Sequence, residues 1–437
     1  MAYGKTAASS RAGEAAAFTK RLDTLRARLR RLLPGFIRRL LSHLERDTRD
    51  PWKILRLTIR LSALGIAAPM LLTYDFWFQD SRLYQPSPIV PALSSLPHAV
   101  NAAMYFFTIA CCTVIFLFPS LRRLGFLLLP VFCIFVLQDQ TRGHFYYELS
   151  LFNLLAGAAI PRKVEDRHLD PLRYMTIGIY FWAGFYKLNA FFVLFGFPWF
   201  VSTWFPFTQV AQVVGFLVPF LEAAVGVFLL FPATRWIGQA LAFSMLVVVL
   251  LSLGPFGLNQ AMVVWPANVY LDCLTLFLFS RRQKTLADTK RVKRPLAALA
   301  ALVFCAVPAL GMVDLLGVHP SFKLYCSCGY EASVFEFGPR ENLGFLHNAL
   351  AETAVKDDMI GYGDVTYSLL NVPPCNFLPG EKPIIAGFRG FCPHLSKPHQ
   401  ARLRVVRGVH FWSTDFTENA YDICGKEPRL LYSGPPR

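Results

Sequence analysis

The feature that most constrains this chain is a succession of long apolar runs between about residues 57 and 313. A membrane-crossing helix needs about 18–20 such residues. Nine segments come near or above that length: 57–78, 97–118, 122–138, 144–160, 173–196, 210–231, 234–253, 258–280 and 296–313. The third and fourth are short and flanked by polar residues, so eight spans remain open if one of them is re-entrant. Composition agrees, with 54% hydrophobic residues and only 16% charged, against about 25% charged in an ordinary soluble domain. A disordered chain, a coiled coil and a soluble nucleic-acid binder are excluded. The expected fold is an all-α polytopic membrane helix bundle.

The 44 Lys+Arg against 28 Asp+Glu give a net charge of +16, and where this charge lies decides what it means. Residues 1–56 hold 14 Lys/Arg, the 161–173 connection four and the 281–295 connection seven. On the same side lie the 119–123 connection with two and the 232–235 connection with one, while the alternate connections 79–96, 139–143, 197–209 and 254–257 hold one or none, as the positive-inside rule requires of the translocated side. The N-terminus is therefore expected in the cytoplasm and the C-terminal tail outside. That tail, 314–437, is close to neutral, with 12 Lys/Arg and 13 Asp/Glu. The excess charge is topological, and no nucleic-acid partner is expected. The expected partner is the lipid bilayer.

Three regions follow. Residues 1–56 form a basic cytoplasmic arm in which Leu25, Leu29, Leu32, Leu33, Phe36, Leu40 and Leu41 recur at helical spacing among arginines. Such an amphipathic helix either lies on an anionic leaflet or is a solvated juxtamembrane element. Residues 57–313 form the transmembrane bundle. Residues 314–437 lose the apolar runs, gain turn signals such as Pro373-Pro374 and Pro379-Gly380, and show strand character at 402–412. A small mixed α/β or β-rich extracytoplasmic C-terminal domain is expected there. Its five cysteines, Cys326, Cys328, Cys375, Cys392 and Cys424, favour structural disulfides over a redox or metal pair at 326/328. Cys111, Cys112, Cys133, Cys273 and Cys305 fall in spans, where a thiol is a small hydrophobe.

Ionisable residues inside spans are costly and mark function. His144, Glu148, Lys187, Glu222 and Asp272 qualify. Glu148 lies one helical turn beyond His144, and Lys187 falls about 21 Å along the fifth segment at 1.5 Å per residue. These three are expected at one level of the outer leaflet. A lysine buried there sheds its charge unless a carboxylate holds it, and a neutral lysine is a general base. The competing reading is a Lys187–Glu148 ion pair that only locks two helices. Glu222 and Asp272 line a polar path or pair with a neighbour such as Trp236, Gln239 or Asn268. Asp139, Gln140 and Arg142 form either the rim of a site opening outward or a solvated turn. Aromatic residues crowd around Lys187, as in an interfacial belt or a site for a flat ring. No nucleotide fingerprint, P-loop, zinc motif or other metal site is recognised.

The stretch Tyr180-Phe-Trp-Ala-Gly-Phe-Tyr-Lys-Leu-Asn189 resembles the signature helix of the horizontally transferred transmembrane (HTTM) domain family, which includes the vitamin K-dependent γ-carboxylase. That helix carries an aromatic run, Ala-Gly, then a lysine followed by Leu and Asp or Asn. His144-Phe-Tyr146 matches a His–x–Tyr of the preceding family helix. The resemblance covers about residues 55–315 and is sharp only at 144–146 and 180–189. It implies a membrane enzyme in which Lys187 is the catalytic base, with His144 and Glu148 assisting. A reduced quinone, vitamin K-like, would be the cofactor, with Tyr146, Trp182 and Tyr186 against its ring. The tail is far shorter than the carboxylase's extra-membrane region, and Tyr186 stands where that enzyme has a second lysine, so protein carboxylation is not implied. The pattern is closer to short bacterial relatives. A bacterial inner membrane is therefore expected, with the endoplasmic reticulum or an organelle membrane as the alternative. Three functions stay open at this point: a quinone- or lipid-linked enzyme, a scaffold whose outside tail binds a protein partner, and a proton-coupled transporter.

Overall fold

The computed structural model describes residues 50–77, 88–94, 96–139, 142–143, 145–190, 192–254, 256–257, 264–280, 295–313, 330–337, 352–354, 360–363, 402–408 and 416–434, together with Ile385, Arg389 and Cys392. The arm up to residue 49, Gln140, His144, the side chain of Tyr146, and Cys326, Cys328 and Cys375 lie outside the described residues.

Among the described residues, a helix occupies each of the nine apolar segments. These are α1 (Pro51–Leu72), α2 (His98–Leu117), α3 (Gly125–Gln138), α4 (Phe145–Ala159), α5 (Asp170–Tyr186), α6 (Thr208–Leu230), α7 (Arg235–Ser252), α8 (Val264–Leu278) and α9 (Pro295–Ala301). A 3-10 turn at Pro119–Leu124 leads into α3, and α9 continues through a π turn at Leu302–Ala306 and a 3-10 turn at Val307–Val313. Six stretches are long and apolar enough to cross a membrane: Pro51–Leu72, His98–Leu117, Pro119–Gln138, Thr208–Leu230, Arg235–Ser252 and Pro295–Met312. Their outer faces carry exposed rings and aliphatics, among them Phe106, Phe116, Val213, Phe216 and Phe243. Such a surface belongs in lipid rather than water. The chain is thus an integral membrane protein in a bilayer.

The other three helices are shorter, with 15 residues in α4, 17 in α5 and 15 in α8. They supply much of the interior. α5 buries fourteen of its residues and packs on α6, α9 and α8. The fifth segment, expected as one helix over 173–196, breaks at Lys187, and the chain restarts in short turns at Phe192–Gly196 and Phe197–Val201.

The basic residues do more than label one side of the membrane. Arg60 of α1 donates to the Phe116 carbonyl at the end of α2, and Arg122 donates to Ile160 just past α4. Arg173 of α5 donates to Leu278 at the end of α8, and Arg235 at the start of α7 donates to Leu229 near the end of α6. Each even-numbered helix thus ends on an arginine from an odd-numbered neighbour. The last carbonyls of a helix have no partner within it and carry the negative end of its dipole. A guanidinium satisfies both needs at once where hydrocarbon offers no water. Arg122, Arg173 and Arg235 are consequently buried rather than solvated.

Residues 330–434 contribute six antiparallel strands: β1 (Tyr330–Phe337), β2 (Glu352–Ala354), β3 (Ile360–Gly363), β4 (Arg402–Gly408), β5 (Phe416–Asp422) and β6 (Arg429–Gly434). Their order is β2-β3-β1-β4-β5-β6. Leu403 and Val405 of β4 and Ile423 just past β5 are buried. Arg404 grips Glu418 with two bonds of 2.8 and 2.7 Å across β4 and β5. A disulfide ties Cys392 to Cys424, and Arg389 donates to the Gly425 and Lys426 carbonyls of the same turn. The five cysteines of the helical segments are free thiols.

Candidate functional site

The site begins with the close approach of α5 to α6. A Cβ at Gly184 would collide with the backbone of Pro219 and Ala223, so only glycine permits this crossing. On its other side α5 meets α9. Gly178 lies against the Phe304 carbonyl, which Pro308, lacking an N–H, leaves without its usual helical donor. Trp182 Nε1 donates to the Cys305 carbonyl at 3.0 Å, and Tyr186 Oη to that of Pro308 at 2.5 Å. Carbonyls of the irregular turns of α9 thus find donors inside the protein, as hydrocarbon demands. The Trp182 and Tyr186 donors thus hold α9. Trp182 is 7% exposed and Tyr186 wholly buried.

Lys187 stands one turn beyond Gly184, at the C-terminal cap of α5. Its Nζ lies 2.7 Å from Oε1 and 2.5 Å from Oε2 of Glu222 on α6. The two side chains are 11% and 9% exposed. The ammonium also sits at the negative end of α5, a favourable place for a cation. Asn189 completes the break. Its Nδ2 donates to the Tyr186 carbonyl at 2.8 Å, and its Oδ1 accepts from the Phe192 backbone N–H at 2.9 Å. One side chain therefore closes the helix that ends and opens the turn that follows. This gives the Lys-Leu-Asn sequence a physical sense: the lysine finds its counter-ion, and the asparagine satisfies the backbone that the break exposes.

This geometry corrects one expectation. The carboxylate holding Lys187 is Glu222, not Glu148. Glu148 sits half-buried in the first turn of α4, while both carboxylate oxygens of Glu222 meet the Lys187 ammonium. Glu222 is the fifteenth residue of the 23-residue α6, about 21 Å from its start at 1.5 Å per residue. The pair is buried between α5 and α6, away from both ends of α6.

Asp272 also has a partner that sequence reasoning did not name. Tyr180 Oη donates to its Oδ1 at 3.0 Å, and Thr275 lies 3.4 Å from the same hydroxyl. Gln239 instead donates to the Thr275 and Leu276 carbonyls. Tyr180 precedes Lys187 by seven residues, and Arg173 precedes Tyr180 by seven, so the three share one stripe of α5. Each meets carboxylates from outside α5 or from its first turn: Asp166 and Asp170 for Arg173, Asp272 for Tyr180, Glu222 for Lys187. A heptad stripe of Arg, Tyr and Lys in an apolar helix was the available signal.

Two of the residues expected at an outward rim or a solvated turn, Asp139 and Arg142, are not solvated but wholly buried. Arg142 donates to Gln138 and to the Trp77 carbonyl at 3.0 Å each, and lies over the rings of Trp77 and Phe135. Gln138 passes the network on to Asn101 at 2.8 Å. No protein-family model, curated protein or solved structure matches the chain.

Proposed function

We propose that the chain is a membrane enzyme of the HTTM type, acting on a lipid-soluble substrate with the Lys187–Glu222 pair as its proton-exchanging centre. The observation that carries this reading is a charged pair held at a helix break inside an apolar bundle where packing does not need it. Burying two ions costs several kcal/mol each before they attract one another, about 1–4 kcal/mol more than well-packed apolar side chains in comparable cases. The glycine-mediated contact at Gly184 already fixes α5 on α6. A costly pair that packing does not require points to chemistry. Moving one proton from Nζ to the carboxylate leaves a neutral amine beside a neutral acid, without leaving net charge in hydrocarbon. The pair thereby offers a base and an acid together. The Lys187–Asn189 pattern supports the HTTM reading. The quinone implied by that resemblance fits less well. Trp182 and Tyr186 have spent their donors on α9, so no step is routed through a quinone.

The same proposal includes nine crossings, an inner N-terminus and an outer sheet. The arginine-capped ends of α2, α4, α6 and α8 support alternating crossings. The Cys392–Cys424 disulfide supports an oxidising, outer compartment for the sheet.

A second reading, a non-catalytic scaffold, is favoured by the two-point grip of Lys187 on Glu222, which would brace the break. One experiment separates them. Wild type and Lys187→Met/Glu222→Met are purified in detergent, and their bound lipids are extracted for mass spectrometry. The enzyme reading expects a lipid-soluble compound retained by wild type and lost by the folded double variant. The same lipids in both would make the pair a brace and the protein a scaffold.

A further inference from the structure

The positive charges at the junction of α1, α3 and α4 are compensated differently from those at the other helix ends. Arg173 is met by Asp166 and Asp170 at 2.9 and 3.0 Å. Arg235 feels those same two carboxylates. Arg122 has no such company. The charges acting on it are those of Arg123 and Arg162, both positive. Among the described residues, Arg56, Arg122, Arg123 and Arg162 form no ion pair. Yet Arg122 is only 5% exposed. One terminal nitrogen of its guanidinium is used on the Ile160 and Pro161 carbonyls, while its Nε is buried with no partner. A buried, unsatisfied cationic N–H among like charges is costly, and an anion supplied from outside would relieve it.

The junction also has a ring around which its cations gather. The Arg122 Cζ lies 4.9 Å from the centroid of Trp52, and the Arg56 Cζ lies 5.7 Å from it. Trp52 is half-buried in the first turn of α1, while Arg123 and Arg162 are exposed beside the site. Tryptophan at a helix end marks the headgroup level of a bilayer. Just along the chain, Phe118 and Leu121 are 58% and 48% exposed, offering an apolar surface that a free anion would not need and an acyl chain would.

We propose that Trp52, Arg56, Arg122, Arg123 and Arg162 form a binding site for the phosphate of an anionic phospholipid. Arg122 supplies a buried N–H and fixed charge, Arg56 adds its charge at the Trp52 ring, Arg162 adds a charge that reaches Arg122, and Trp52 places the site at headgroup depth. This site is separate from the Lys187–Glu222 pair and stands whether or not that pair is catalytic. It follows the rule that basic pockets between membrane helices recruit anionic headgroups.

The test uses the full chain in detergent, incubated with phosphatidylglycerol, with phosphatidylcholine or with inorganic phosphate. Native mass spectrometry and thermal unfolding read the outcome. Wild type is expected to retain phosphatidylglycerol and gain unfolding temperature from it, with no gain from the other two. The variant Arg56→Gln/Arg162→Gln alters half-buried and exposed side chains and leaves Arg122 in place, so it should fold. Each lost charge should weaken retention about fivefold, and the pair about 25-fold. Arg402→Gln/Lys426→Gln removes the same charge from the sheet and should retain lipid as wild type does. Undiminished retention by the junction variant would overturn the site. An equal loss in the sheet variant would reduce it to net charge. An equal gain from inorganic phosphate would make the ligand a free anion rather than a lipid.

Discussion

At the scale of single residues, Lys187 and Glu222 are worth more to each other than either is worth alone. Replacing only Lys187 with Met leaves a carboxylate uncompensated in an apolar interior, which costs about 3–5 kcal/mol. Replacing both with Met removes the pair and its desolvation together, and such changes are neutral or stabilising by about 1–4 kcal/mol. Thermal unfolding in one detergent should therefore order the proteins with Lys187→Met well below wild type and the double variant at or above it. A double variant as unstable as the single one would mean that the two charges do not compensate each other. Lys187 was visible in the sequence because a lysine inside an apolar run has few explanations. Its partner was not. Helical rise places residues by depth, but it says nothing of which helix turns toward which. Glu148 matched the expected level, yet the carboxylate that turns toward Lys187 comes from α6. Asp272 tells the same story: its charge was conspicuous and its Tyr180 partner, 92 positions away, was not.

At the scale of elements, two departures from regular helix decide the site. α5 stops at Tyr186 because Asn189 captures the Tyr186 carbonyl and starts the next turn. Asn189→Leu would leave those two backbone groups unsatisfied where water is scarce, costing about 1–3 kcal/mol for each. It should lower the unfolding temperature. An Asp at this position could still accept from Phe192 but could not donate to Tyr186, so it should recover only part of the loss. The second departure is the α5–α6 approach. Gly184→Ala puts a methyl into the backbone of Pro219 and Ala223. Backbone cannot yield as a flexible side chain does, so the helices must separate, at about 1–3 kcal/mol or more. Lipids retained through the Lys187–Glu222 site should fall with it. Stability and lipid content equal to wild type in Gly184→Ala would show that the close packing is not what holds the pair. Hydropathy located all nine segments because apolarity is a property of the segment itself. It ran through the break at Lys187 because Leu188, Phe191 and Phe192 are as apolar as the helix before them. What ends the helix is a side chain satisfying backbone, which a hydropathy window does not record.

At the scale of the whole molecule, side-specific charge and helix capping are the same device seen twice. Three of the arginines counted in the basic connections, Arg122, Arg173 and Arg235, are the ones that close α4, α8 and α6, and Arg60 within α1 closes α2. This alternation makes a sharp topological claim, because α4, α5 and α8 are each too short to be assigned as crossings by length. Three exposed positions test it: Lys163 before α5, Phe256 between α7 and α8, and Glu427 between β5 and β6. Each is replaced singly by Cys and treated in intact cells with a membrane-impermeant maleimide, with wild type as the thiol background. If every helix crosses, three crossings separate Lys163 from Phe256 and two separate Phe256 from Glu427. Phe256→Cys and Glu427→Cys should then label, and Lys163→Cys should label only after the membrane is opened. If Lys163 and Phe256 share a side while α6 and α7 both cross, then α5 is re-entrant, and the Lys187–Glu222 pair opens to the face from which it entered. If Phe256 and Glu427 lie on opposite sides while α9 crosses, then α8 is the helix that does not cross, and the buried Tyr180–Asp272 bond lies between α5 and a re-entrant helix. Each pattern of labelling thus places one buried carboxylate as well as one helix.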